Sequence, residues 1–226
     1  MNFLAHGLPV LDDAWQLAGT AVPDWLSACD RRCRVRAKRL RPVVAAEADS
    51  DEEAARLRRG MLRHLDDDDW FHTSAAFAEA ELLIGRRFRR LLGGSDQARP
   101  GFLGHIAAEM ILDGVLMRRT PGLVDRYYRQ LQLVPAEEIE RIVCEVATRP
   151  TEKLAVFIGK FHHYEYLRGY PDPPSMVARL NGVLRRVKLP PLPVEAVAVV
   201  EAGFAIVAER ADAMLSGPGR DGPAAG

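Results

Sequence analysis

Apolar side chains recur along this chain every three or four residues, and the strict alternation that marks a half-buried strand is absent. Between Ser50 and Phe71 the recurring positions are Ala54, Leu57, Met61, Leu62 and Leu65. Ser50 and Glu53 have capping-box spacing, so the run predicts one helix of about five to six turns. Thr73 or Ser74 caps a second helix that reaches Leu92 and stops at Gly93-Gly94. Pro100 opens a third, carrying Phe102, Ile106, Met110, Leu112 and Leu116 and ended by Thr120-Pro121. Further helices are expected over residues 122–132, 135–147, 151–168, 174–187 and 193–215. The expected fold is all-α, a compact multi-helix domain. Residues 1–125 would form its core, 126–215 a C-terminal helical extension packed on it, and 216–226 a disordered tail. The polar, basic interval from Arg31 to Glu53 reads as a flexible loop.

A chain of 226 residues, 48% hydrophobic, can bury a sizeable core. Its 31 basic and 31 acidic side chains cancel, so no global field recruits nucleic acid or a membrane surface. Arg86, Arg87, Arg89 and Arg90 flank the single Phe88 of GRRFRRLL and read as the outer face of a helix, without the repeated aromatic interleaving of a nucleic-acid face. No segment approaches the roughly 20 consecutive apolar residues of a membrane span. The start MNFLAHGLPVL lacks a basic leader, and three cysteines leave one over from any disulfide framework, so a reducing cytoplasm is the expected location. Cys29 and Cys33 read as packed thiols. Charge is nevertheless uneven: RRCRVRAKRLR puts seven basic residues into eleven, and Asp66 to Asp69 are four successive aspartates.

Acidic and imidazole side chains fall at intervals of four in His64, Asp68 and His72, and again in His105, Glu109 and Asp113. Residues four apart share a helix face, so each triplet forms a stripe of potential ligands. With His6 and Asp24 these groups are expected to converge on one pocket, His72 at its edge. Carboxylate and imidazole donors suit a divalent cation such as manganese, iron or zinc. The simpler reading of either stripe is a solvated helix face. Against it, GFLGHIAAEMILDGVL has no lysine or arginine until Arg118, and charges in so apolar a helix are costly to bury unless paired or bound to a cation. Aspartates near a helix C-terminus oppose the helix dipole, a penalty that a cation removes. Asp66, Asp67 and Asp69 point away from Asp68 on the wheel and read as backing or solvent-facing groups. Asp24, after Pro23, reads as a turn or helix start, where capping is the plain alternative. His162 and His163, in an aromatic-rich stretch, read as core or lid packing.

The opening MNFLAH, the Gly19 to Trp25 segment and GMLRHLDDDDWFH resemble bacterial acyl carrier protein phosphodiesterases, with matches at Gly60, His64 and Asp68. His72 stands where that family carries aspartate, and a later D-x-x-x-D segment matches Glu109 and Asp113. The matched order covers roughly residues 1–125. The family's arginines after the matched histidine are Leu65 and Asp66 here, its second early histidine is Leu8, and the histidine after its last aspartate is Gly114. The order GxxxPDW then GHxxxExxxD is also similar to zinc-dependent phospholipase C-like proteins. The resemblance implies metal-dependent hydrolysis of a phosphodiester, usually with manganese. In the first family that means release of 4′-phosphopantetheine from acyl carrier protein. Asp68 and His64 would act in catalysis, and Arg31, Arg32 and Arg34 would meet an acidic carrier or phosphorylated substrate. The competing classes are a non-catalytic helical protein with a structural or degenerate metal site and a carrier-protein binding module.

Overall fold

A computed structural model describes residues 1–94 and 99–217, and among them the secondary structure is helical without strands. Twelve α-helices follow in order: α1 (Phe3–Gly7), α2 (Ala14–Cys29), α3 (Ala37–Ala46), α4 (Glu53–Phe71), α5 (Ala75–Leu91), α6 (Pro100–Arg119), α7 (Leu123–Leu131), α8 (Ala136–Val146), α9 (Leu154–Tyr164), α10 (Pro173–Arg186), α11 (Ala196–Ala208) and α12 (Ala211–Leu215). Single 3-10 turns occupy Leu8–Val10 and Tyr166–Gly169. The expected all-α class is what forms. The expected tail lies outside the described residues beyond Gly217.

Local chemistry sets the boundaries. Ser74 caps α5 through its side chain on the Phe77 amide, and Pro100 occupies the first turn of α6. Ser50 instead accepts from the Glu52 amide in a turn ahead of α4, which begins at Glu53. The helix expected over 151–168 stops at Tyr164, where Glu165 turns left-handed at φ 42°. The segment 193–215 forms two helices broken at Glu209 and Arg210.

The basic interval 31–53 is not a flexible loop, because it contains α3. Leu40 is fully buried and Arg39 donates to the Ala147 carbonyl at 2.6 Å. Arg41 forks onto Asp66 at 2.5 and 3.4 Å. Upstream, the buried Cys33 thiol donates to the Arg149 carbonyl, and the Arg34 amide donates to the Thr148 hydroxyl. Arg58 on α4 pairs with Glu47 and Glu145. A positively charged segment is thus held by acceptors far away in sequence.

Contacts sort the described residues into two compact units, the first built mainly from residues 3–69 and 122–166, the second from 70–121 and 167–217. In the first, Phe161 of α9 is fully buried with the rings of Phe3, Trp25 and Tyr128 at 5.0, 5.5 and 5.5 Å. Gly19 of α2 and Gly60 of α4 meet backbone to backbone. A Cβ on Gly60 would collide with the Gln16 carbonyl, and one on Gly19 with the Leu57 carbonyl.

The second unit has its own core. Helices α5 and α6 pack together through Gly85 and Gly104, where a Cβ on Gly104 would strike the Glu81 carbonyl. Helix α11 lies on both, with Gly203 against Ile84 and Ile111. A side chain at Gly114 would run into the Tyr170 carbonyl and the Phe204 ring, so no histidine fits there. Helix α6 is the one described helix long and apolar enough to cross a membrane by length and composition, and 67% of its apolar window is buried.

Candidate metal centres

Within the first unit, His6 on α1 and His64 and Asp68 on α4 bring potential ligand atoms within 4.8 Å of one another. Both imidazoles are buried, and their rings stack at 3.8 Å and 22°. Each ring is tied from behind. His64 Nδ1 lies 2.7 Å from the Thr20 carbonyl, which accepts only, so Nδ1 carries a proton. His6 Nδ1 lies 3.4 Å from an oxygen of Asp67, itself 4% exposed.

The far nitrogens face Asp68. His6 Nε2 is 3.2 Å from Oδ1 and His64 Nε2 is 3.4 Å from Oδ2. Proximity and alignment disagree at His6: its buried Nε2 has an oxygen within ion-pairing distance yet makes no hydrogen bond. The His6 Nε2 is thus a buried polar atom whose hydrogen-bonding capacity is unmet. Both separations match the roughly 3.3 Å edge of a tetrahedron built on metal–ligand bonds of about 2.0–2.1 Å. Carboxylate or carbonyl acceptors behind ligating histidines are the usual support of such a site. The residues therefore fit a divalent cation. Asp68 also accepts the Met1 ammonium at 2.8 Å. Burial pushes the Asp68 carboxyl up, but the imidazoles of His6 and His64 and that ammonium outweigh it and hold the group far below the usual carboxylate range.

His64 and Asp68 open onto a cleft of about 200 Å³ that Asp24, Ser27 and Arg34 also line. Asp24 is neither a turn nor a cap: it sits inside α2, whose N-cap is Asp13 on the Gln16 amide. Arg34 is exposed, with Nη1 on the Ser27 hydroxyl at 2.9 Å. Arg31 and Arg32 are exposed and are not among the cleft's lining residues.

The second unit holds another group, His72, His105 and Glu109. His72 Nε2 lies 2.9 Å and His105 Nε2 3.5 Å from the same Glu109 oxygen. Glu81 Oε2 stands 3.4 Å from His105 Nδ1. Asp113, fully buried on the same helix as Glu109, is not a member of this group. His162 belongs to neither: half-buried, with Nε2 unpartnered, it is held below the usual histidine range by burial. His163 is exposed against the Tyr164 ring.

Glu81 is absent from the sequence reading, and Asp67 enters it only as a backing or solvent-facing group. Asp67 follows Gly60 by seven residues and His64 by three, so the face that packs Gly60 onto α2 turns Asp67 inward as well. That spacing was a usable signal. Glu81 precedes Gly85 by four and shares the face of α5 pressed onto α6, but nothing local in the sequence ties it to His105. No protein-family model, no curated protein and no solved structure matches the chain.

Proposed function

We propose that the first unit is a metal-dependent phosphodiesterase, with His6, His64 and Asp68 holding a divalent cation beside the 200 Å³ cleft. One observation carries the reading. Two stacked, buried imidazoles have their Nδ1 atoms engaged by the Thr20 carbonyl and Asp67, while their Nε2 atoms face a carboxylate. A second imidazolium stacked on a first is costly in a buried site, so the arrangement calls for a cation between the nitrogens and the oxygens. When bound, such an ion supplies Lewis acidity toward a phosphoryl oxygen and toward water.

The chain's own groups divide the remaining work. Asp68, held ionised, is a poor proton acceptor near neutral pH and a good charge partner for a cation. Asp24, half-buried in the same cleft, is the better placed carboxylate to take a proton from water. Arg34, braced on Ser27, donates to phosphoryl oxygens in the role the resembling family gives to its lost arginines. Exposed Arg31 and Arg32 favour an acidic partner. The resemblance makes acyl carrier protein one such partner and its 4′-phosphopantetheine linkage one such diester, with manganese the first metal to try and iron or zinc the others.

One contact favours a non-catalytic reading. The Met1 ammonium already stands on Asp68 and can neutralise it as a cation would, leaving a structural or degenerate site, or a carrier-binding module. Hydrolysis of bis-p-nitrophenyl phosphate with manganese, zinc or magnesium separates the two. The enzyme reading expects metal-dependent turnover that falls by at least about a hundredfold in Asp68→Asn. Retained metal with no turnover of this diester or of holo acyl carrier protein would establish the non-catalytic one.

A further inference from the structure

We propose that His72, His105 and Glu109 form a second, zinc-class cation site inside the second unit, with Glu81 orienting His105. The inference does not depend on catalysis in the first unit. It starts from backbone packing. Gly104 lets α6 approach the Glu81 carbonyl of α5 closely enough that the next residue, His105, meets the Glu81 carboxylate. A carboxylate only accepts, so Glu81 favours the tautomer with its proton on His105 Nδ1, which leaves the Nε2 lone pair for a cation. One helical turn on, Glu109 lies beneath that lone pair, its Oε1 3.5 Å away. A lone pair and a carboxylate oxygen meet only with a positive centre between them, which a proton or a metal ion supplies.

His72 supplies the third ligand from the turn after α4, its Nε2 2.9 Å from the same oxygen. The two ring centroids are 4.9 Å apart. Phe77 stands edge-on to both imidazoles, at 5.4 and 5.0 Å, and Phe71 flanks His72 at 5.6 Å, so packing fixes the ring orientations before any ion arrives. The nitrogen–oxygen separations, 2.9 and 3.5 Å, bracket the roughly 3.3 Å edge of a tetrahedral zinc site. Two imidazoles and one carboxylate leave a fourth position for water or an exogenous ligand. That donor set selects zinc and similar borderline cations over magnesium or calcium. Side-chain exposures of 34%, 35% and 18% let the ion reach the site from solvent.

Zinc titration of the metal-stripped full chain, read as bound zinc per chain by calorimetry and elemental analysis, tests this directly. His105→Ala and His72→Ala should each lose one equivalent, and Asp68→Asn should keep that equivalent while losing one of its own. Glu81→Gln should retain the site with affinity about 10–100-fold weaker. Helical circular dichroism checks the fold of each variant, and His72, exposed in a turn, decides the matter if His105→Ala misfolds. Zinc stoichiometry unchanged in both histidine variants, or no zinc bound by the unaltered chain, overturns the proposal. An equivalent lost in Asp68→Asn but kept in the histidine variants would sink this site and leave the proposed function standing. The reverse pattern would do the opposite.

Discussion

Three of the four successive aspartates, Asp66, Asp67 and Asp68, occupy different environments, because a helix turns about 100° per residue. Asp66 is an exposed partner of Arg41, whereas Asp67 is buried behind His6 and Asp68 faces both imidazoles. Asp67→Asn is therefore expected to weaken cation binding in the first unit about 10–100-fold, since the acceptor that sets the His6 ring is lost. Asp66→Asn removes only an exposed pair and should change binding and stability by less than about 1 kcal/mol. Calorimetric manganese titration of both variants checks this, and equal effects would return the whole run to the status of a solvated helix end. His64 and Asp68 were legible from their spacing. Asp67 reads from its wheel position as either backing or solvent-facing, and the choice rests on Gly60, whose packing decides which side faces inward.

Cys33 makes a separate prediction at the same scale. Burial, with Cys144 nearby, pushes its thiol from an ordinary 9.0 up to about 11. The unfolded thiol ionises first as pH rises, so the unfolded state holds fewer protons over this window and stability falls between about pH 9 and pH 11. A shift of that size corresponds to about 3 kcal/mol at the top of the window. Urea unfolding at pH 8.5 and 10.8, compared with Cys33→Ala, isolates the thiol's contribution: the variant should lose correspondingly less stability across the interval. Identical pH slopes would show the thiol to be more open to water than its complete burial implies.

Among the elements, the α2–α4 crossing positions the first candidate centre, and it depends on two glycines. Ala at Gly60 must push on the Gln16 carbonyl and the Gly19 Cα, and backbone cannot swing aside as a flexible side chain can. Gly60→Ala should cost about 1–3 kcal/mol net of the helix propensity it gains, and should loosen cation binding with it. Gly182→Ala in α10, where a new Cβ meets nothing within 4 Å, should instead stabilise by up to about 1 kcal/mol. Urea midpoints of the two variants test the contrast, and a neutral Gly60→Ala would mean that the crossing is not tight. Period made most helices legible. Helix α3 was hidden because its residues are mainly basic and Leu40 is its one fully buried side chain, while the acceptors that hold it, at Asp66 and Ala147, lie far along the chain.

At the scale of the molecule, residues 122–166 pack with 3–69 while, among the described residues, 167–217 pack with 70–121. Hydrophobic period cannot disclose such pairing, since it reports which face of a helix is apolar and not which distant face it meets. What the whole chain can report is linkage. A cation that binds the folded state and not the unfolded one stabilises it by about 2.7 kcal/mol at a hundredfold excess over Kd. For a chain of this length that corresponds to a rise of roughly 5–10 °C in Tm. Manganese or zinc added to chelator-treated protein should produce that rise, and excess EDTA should reverse it. His64→Ala should abolish the manganese shift, because it removes a ring packed against His6 and a donor to the Thr20 carbonyl as well as a ligand nitrogen. A Tm indifferent to every divalent cation would show that the Met1 ammonium on Asp68 suffices, and that the buried imidazoles of His6 and His64 serve the packing of α1 against α4 alone.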